Sequence, residues 1–315
     1  MLGRSANGIF WLFRYLERAE NTARLIEAGF RMALTRDSKD ASDEWRSVVI
    51  TLGQQAAFEA KHGTDYTGPH VFNFVLRDKD NPGAVLAMVE QARSSARSVR
   101  TGITREVWET VNDTWMILRE MLARPITETR LGDVLDTIRR QSTQLRGALE
   151  GTMLRNEIYN FARLGTFIER ADNTARILDV KYYVLLPSLS YVGSSLDNVQ
   201  WENVLRSLAG ERAYRWLNAG RMEAKGIAEF LILDGRFPRS LAYCYAKLQS
   251  NMAQLAREYG HEAASHEILR DTCTRLHTLS IESVLEQGLH QFIADFIAVN
   301  TRLALEIQRD YRFIE

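Results

Sequence analysis

Residues 17–24 read ERAENTAR and residues 169–176 read ERADNTAR, seven identities in eight at an offset of 152. Working outward, the match continues at an offset of 156. Trp45 falls on Trp201, Leu52 on Leu208, Phe74 on Phe230, Asp78 on Asp234 and Pro82 on Pro238. Two copies with their signals in the same order imply one all-α domain over residues 1–315, with repeat halves 1–153 and 154–315. The expected fold is a pseudo-twofold helical bundle built from two diverged copies of a multi-helix unit, with the two motif helices as its natural centre. The period is too long, and the copies too few, for a solenoid.

Helical periodicity runs through most of the chain, and no convincing run of alternating strand residues interrupts it. The five prolines, Pro69, Pro82, Pro125, Pro187 and Pro238, fall where the patterning breaks, as helix boundaries require. The patterning predicts helices over 5–34, 43–61, 82–101, 104–123, 129–151, 155–185, 199–213, 217–233, 238–258, 262–277 and 280–312. Polar loops are expected around 36–42, 62–71 and 188–197. Asp80-Asn81-Pro82 reads as an N-cap followed by proline at the first helical position.

On a helical wheel, Leu12, Tyr15, Leu16, Ala19, Ala23, Ile26 and Phe30 form an apolar face that packs the core. Opposite it lie Arg14, Glu17, Glu20, Asn21 and Arg24, with Arg18 on the flank. The second copy puts Glu169, Asp172, Asn173 and Arg176 on the equivalent stripe, beside Arg170. A solvated stripe in copies this diverged would drift, yet the acid, amide and arginine keep their places. The stripe is therefore expected to pack against something, since buried charges need specific partners. Two readings follow. One is a closed structural network, with Glu17 reaching Arg176 and Glu169 reaching Arg24 across the pseudo-twofold. The other is an open polar cleft that holds a ligand or peptide.

The segment MLGRSANGIFWLFRYLERAENTARLIE, with YNFARLGTFIERADNTARILDVKYY further on, resembles the bacterial alpha-E domain family over essentially the whole chain. The doubled ERAxNTAR is the most specific sign of it. Arg4, Trp11, Arg14, Tyr15, Glu17, Arg18, Asn21, Thr22 and Arg24 match the family pattern, as do Glu169, Arg170 and Asp172. The sequence departs at Ser94 and Ser95, where the family's arginine-rich third helix carries an acid and an amide. The resemblance implies an all-helical fold and a setting, because the family's genes typically sit beside those for ATP-grasp carboxylate–amine ligases and transglutaminase-like peptidases. It implies a non-ligase component of a peptide-forming or peptide-tagging system, with such a ligase or transglutaminase-like protein as partner.

Composition sets the bounds. Lys+Arg and Asp+Glu are equal at 40 each, so no net field draws the chain to nucleic acid or an anionic bilayer. The basic residues are 34 Arg and 6 Lys; arginine's planar fork suits carboxylates and phosphates, and a GC-rich genome gives the same bias. No apolar run approaches eighteen residues, and Ile9 to Phe13 is too short for a signal-peptide core. With only Cys244 and Cys273, the cytoplasm is the expected compartment.

Arg93, Arg97 and Arg100 share one helix face, as a solvated ridge or as an anion site for a carboxylate, a phosphate or an acidic partner. Their repeat counterparts are Gln249, Ala253 and Ala256. Glu59/His62 and Glu258/His261 have the Glu-x-x-His spacing of di-iron bundles but sit by Gly63 and Gly260 near helix ends, so no metal is expected. No phosphate loop, nucleophile elbow or nucleotide motif occurs, so no cofactor is expected. Three readings of function stay open. The first is a binding or scaffold protein. The second is an enzyme with Glu17 or Glu169 as general base. The third is a structural homo-oligomer joined through the apolar surface of 280–312.

Overall fold

The computed structural model describes residues 2–34, 38–183, 195–219 and 221–313, with the side chains of 38–40, 180–183 and 195–198 left aside. All regular structure among the described residues is helical: α1 (Gly3–Ala33), α2 (Ser38–Thr51), α3 (Gln55–His62), α4 (Gly68–Arg77), α5 (Val85–Ser98), α6 (Arg105–Met121), α7 (Glu128–Thr152), α8 (Glu157–Tyr183), α9 (Ser195–Ser207), α10 (Glu211–Leu217), α11 (Ala224–Leu233), α12 (Leu241–Tyr259), α13 (Ala264–Thr278), α14 (Ile281–Gln287) and α15 (Leu289–Asp310). Among the described residues, no helix is long and apolar enough to cross a membrane.

The chain forms two compact units. One holds residues 8–162; the other holds 2–7 and 163–315. In the first, α5 packs on α6 and α6 on α7, while α4 joins α2 to α5. Its core takes Phe10, Leu12, Phe58, Phe72, Val75, Met88, Val111 and Leu131, all essentially inaccessible to water. In the second, α12 packs on α13 and α13 on α15, around Phe167, Tyr245, Leu248, Phe292 and Ile293. Residues 2–7 belong there because Gly3 lies against backbone at the chain's other end. A Cβ on Gly3 would meet the Arg312 carbonyl oxygen at 1.8 Å.

The helices depart from the predicted ones at points with a physical cause. The segment 43–61 is two helices, α2 and α3, because Gly53 turns the chain at φ 68°. The segment 280–312 breaks likewise at Gly288, φ 97°, and 199–213 breaks between α9 and α10 at Ala209, φ 56°. Helix α4 occupies part of the expected loop 62–71 and had no counterpart in the pattern. Pro69, taken as a break, sits in its first turn, where no backbone N–H is missed. Asn81 caps no helix. Its Oδ1 accepts from the Gly83 N–H at 2.9 Å, and its amide reaches Gln54 and the Phe74 carbonyl at 2.8 and 3.1 Å. Helix α5 therefore starts only at Val85, after Ala84. Most of the expected loop 188–197 lies outside the described residues.

The apolar surface expected to join copies through 280–312 is used at home: Leu289, Phe292, Ile293, Phe296, Leu303 and Ile307 are buried in their own unit. Among the described residues of α14 and α15, only Leu285 and Leu305 remain as large exposed apolar side chains.

Candidate functional site

Helix α1 is buried nearly all round, because its polar stripe is covered as well as its apolar face. Glu17, Asn21 and Thr22 are buried, and Glu20 is 0% exposed. A carboxylate with no access to water must be matched by cations or lose its charge. Glu20 is matched twice. One turn on, Arg24 donates Nε and Nη2 to its Oε1 at 2.9 and 2.7 Å. From α7, Arg146 reaches its Oε2 through Nη1, a nitrogen that lies 3.9 Å from Glu17 Oε2. One heptad further along α1, Glu27 is taken by Arg139 of α7 and by Arg31 of its own helix, the latter at 2.8 Å.

The first unit thus holds a two-rung ladder. Glu20 and Glu27 are seven residues apart on one helix, and Arg146 and Arg139 are seven apart on the other. Seven residues return close to the same helical face, so each rung repeats the last along an antiparallel pair. Arg139 is partly buried, and that burial lowers the pKa of its guanidinium; the neighbouring Arg24 adds to the effect and Glu20 opposes it. An arginine stays charged even so.

The second copy of the motif is built differently. Glu169, Arg170 and Thr174 are buried. Arg170 donates to the Pro238 carbonyl at 3.3 Å and lies over the Phe167 ring, and Thr174 Oγ1 donates to the Arg239 carbonyl at 2.7 Å. The helix itself is pinned by Asn300 of α15, which donates to the Ile168 carbonyl and accepts from Tyr245, both at 3.1 Å. Asp172 and Arg176 pair at 2.6 Å near the surface, where the arginine is 40% exposed. Asp179, 152 positions after Glu27, lies 2.6 Å from His290.

Arg24 and Arg176 were expected to be taken by glutamates of the opposite copy. Each instead binds the acid four residues earlier on its own helix, the shortest route for an arginine on a helix surface. Arg14 lies over Trp11 and Phe10, its guanidinium carbon 4.6 and 5.5 Å from the ring centroids. Arg18 and Asn173 are half-buried. Sequence reasoning missed Arg139, Arg146 and Glu27. The signal for them was available: an acid pair and an arginine pair with the same heptad spacing on two long helices.

The arginine ridge of α5 lies against α6. Arg93 donates to Asn112 at 2.8 Å and sits 4.1 Å from the centre of the Trp115 ring, while Arg100 lies 5.4 Å from Trp108. The Glu-x-x-His pairs are occupied otherwise. Glu59 accepts from Gln55 and the Tyr66 hydroxyl at 2.8 and 2.7 Å, and these bonds hold its pKa down. His62 stacks on His70 at 4.9 Å, and His261 turns Nδ1 to the Tyr259 carbonyl. Among the described residues, no three or more His, Cys, Asp or Glu side chains gather as a metal site.

Cavities among the described residues lie away from the motif stretches. One, of about 400 Å³, is lined by Leu217, Asn218, Glu229, Phe230 and Asp234. Another, of about 260 Å³, is lined by Phe30, Trp45, Tyr66, Pro69 and Glu128.

A family model described as "a predicted alpha-helical domain with a conserved ER motif", the Alpha-E domain, matches residues 1–312. This chain carries Glu-Arg at 17–18 and again at 169–170. An uncharacterised protein of Mycobacterium bovis is 24% identical over 94% of this chain and 35% of its own length. An uncharacterised protein of Mycobacterium tuberculosis H37Rv gives the same figures. The chain thus spans about a third of the length of these relatives. No solved structure matches. The chain belongs to the Alpha-E family.

Proposed function

We propose that this protein is a non-ligase binding or scaffold component of an ATP-grasp-associated peptide-forming or peptide-tagging system, holding a peptide, amino-acid or protein partner. The observation that carries the binding reading is Glu20, buried and clasped by Arg24 and Arg146. A general base must reach its substrate's proton and exchange protons near the working pH. A carboxylate with arginines on both oxygens does neither; its work is to hold α1 to α7, and the acids that could serve as bases, Glu17 and Glu169, are buried as well. The motif's first copy then builds a rigid frame, and recognition belongs to other surfaces on that frame. The ATP-grasp setting rests on the family resemblance. The mycobacterial relatives, which carry a region like this one within much longer chains, fit a module that works beside another protein. Its two free thiols suit a reducing compartment, the cytoplasm.

The test uses the purified chain with ATP and mixed amino acids, alone and with an ATP-grasp carboxylate–amine ligase from the same organism. We expect no ATP hydrolysis and no peptide bond from the chain alone, and a complex with the ligase by size-exclusion chromatography. Robust turnover by the isolated chain, abolished by Glu17→Gln, overturns the binding reading in favour of an enzyme.

A further inference from the structure

Several arginines of the first unit are taken by acids or by backbone carbonyls; Arg77, for one, donates to the Leu122 and Ala123 carbonyls at 2.8 and 3.2 Å. Arg24, Arg31, Arg105, Arg139, Arg146 and Arg155 each meet a carboxylate. Arg93, Arg97, Arg100 and Arg119 meet none among the described residues, and they lie on one face. Arg93 and Arg97 stand one turn apart on α5, and Arg100 follows in the turn beyond its end. On α6, Trp108, Asn112, Trp115 and Arg119 stand at i, i+4, i+7 and i+11. Arg93 meets Trp115 and Arg100 meets Trp108, so the two rows run antiparallel and interleave.

The tryptophans order three of these cations, Arg93, Arg100 and Arg119. The Trp115 ring has two guanidiniums on it, Arg93 at 4.1 Å and Arg119 at 4.4 Å from its centre. A guanidinium laid over an indole keeps its N–H edge for a planar acceptor, and less side-chain freedom is lost when that acceptor arrives. Arg97, Arg100 and Arg119 are exposed, and Met116, next to Trp115, is 45% exposed. The face therefore offers unneutralised donors beside accessible apolar surface, in a chain whose acidic and basic residues are equal in number.

We propose that this arginine–tryptophan face of α5 and α6 docks a carboxylate-rich peptide segment of a partner protein. The proposal rests on the binding reading and says where and what the protein binds. The patch is short. From Arg93 to the end of α5 at Ser98 is five helical residues, about 8 Å, with Arg100 in the turn beyond, which suits two or three carboxylates of one peptide and not a tracking phosphate backbone. The indoles carry guanidiniums already and are not open platforms for stacked bases. Glu109, Asp113 and Glu120 flank the same face of α6, where they repel a long polyanion more than a short peptide with apolar residues among its acids.

The test is a titration of the full chain with octaglutamate, followed by tryptophan emission at about 0.02 M and about 0.3 M salt. A thymidylate octamer and tripolyphosphate run in parallel. The triple variant Arg97→Gln/Arg100→Gln/Arg119→Gln changes only exposed side chains. Arg105→Gln/Arg155→Gln is the control, since both arginines already hold acids. We expect octaglutamate to bind, to weaken as salt rises, and to weaken roughly tenfold in the triple variant but not in the control. An unchanged affinity in the triple variant overturns the proposal, and so does the absence of binding at low salt. Tighter binding of the thymidylate octamer overturns it in favour of nucleic acid, and tighter binding of tripolyphosphate in favour of a phosphate site. If the triple variant still captures the ligase as wild type does, this face is not the docking site while the binding reading stands. Turnover by the isolated chain is the separate result that removes the binding reading.

Discussion

Glu20 gives the sharpest test of the frame that the motif builds. Its carboxylate is 0% exposed, with Arg24 on one oxygen and Arg146 on the other. Hydrogen bonds to charged groups contribute about 1.5–3 kcal/mol each. Arg24→Ala or Arg146→Ala alone leaves one cation in place, so each should cost about 2 kcal/mol. The double variant strands a buried carboxylate, and breaking such a pair typically costs about 3–5 kcal/mol. That is a large part of a usual stability of about 5–15 kcal/mol. The matched position in the second copy behaves otherwise. Arg176 is 40% exposed and its partner Asp172 is 15% exposed, so water screens what is left, and Arg176→Ala should cost under about 1 kcal/mol.

The assay is urea unfolding followed by far-UV circular dichroism and tryptophan emission together, because two units can unfold separately. Adding Glu20→Gln to the double variant should recover part of the loss, since the orphaned charge is its cause. Glu20 is not a closed ion-paired site if the Arg24/Arg146 double variant melts like Arg176→Ala, or if Glu20→Gln recovers nothing.

The other expectations are narrower. Thr174 donates its hydroxyl to the Arg239 carbonyl at 2.7 Å, whereas Thr22 Oγ1 has no hydrogen-bond partner among the described residues. Thr174→Val should therefore lower stability by about 1–2 kcal/mol and Thr22→Val should not; equal urea midpoints for the two would contradict the assignment. Gly3→Ala drives a Cβ into the Arg312 carbonyl and should cost about 1–3 kcal/mol or release residues 2–7 to limited proteolysis. Burial raises the Cys273 thiol from 9.0 to about 11. At pH 8 it should react with a disulfide reagent about a hundredfold more slowly than in the unfolded chain. The same shift has a sign for stability. The thiol's contribution is complete below pH 9 and is lost as the pH rises toward 11, because the unfolded chain ionises first. Cys273→Ala should flatten that fall, and an unchanged alkaline profile would count against it.

The helical class was legible because the 3.6-residue period is local, and so was the breakpoint chemistry of Pro and Gly. What lay beyond reach was the identity of buried partners. The wheel for residues 5–34 put Glu20 on the face away from the core, as an acid in a helix normally belongs in water. It is buried because Arg146, 126 residues later, covers it, and a single helix carries no record of that. Helix α4 was missed for the opposite reason, since a proline in its first turn looks in sequence like a proline that ends something. The ridge of α5 was seen as three arginines on one face. The tryptophans that meet Arg93 and Arg100 lie on α6, and the link became visible only once the hairpin closed.

Likeness of sequence between the two motif copies does not carry over to likeness of environment. Glu20 becomes Asp172, one methylene shorter, and the acid moves from a site closed to water to one beside the surface. Glu27 becomes Asp179, and an arginine partner gives way to His290. Thr174 keeps a buried hydrogen bond that Thr22 does not make among the described residues. The first copy therefore uses the stripe as an electrostatic frame between α1 and α7. In the second, bonds to backbone carbonyls from Arg170, Thr174 and Asn300 help to fix the helix. High salt should then weaken the Arg24→Ala phenotype little, because the Glu20 site excludes ions as it excludes water, but should erase what remains of Arg176→Ala. A salt series on the two variants separates these cases. If raised salt rescues Arg24→Ala as fully as Arg176→Ala, Glu20 is hydrated in solution and the frame is not closed.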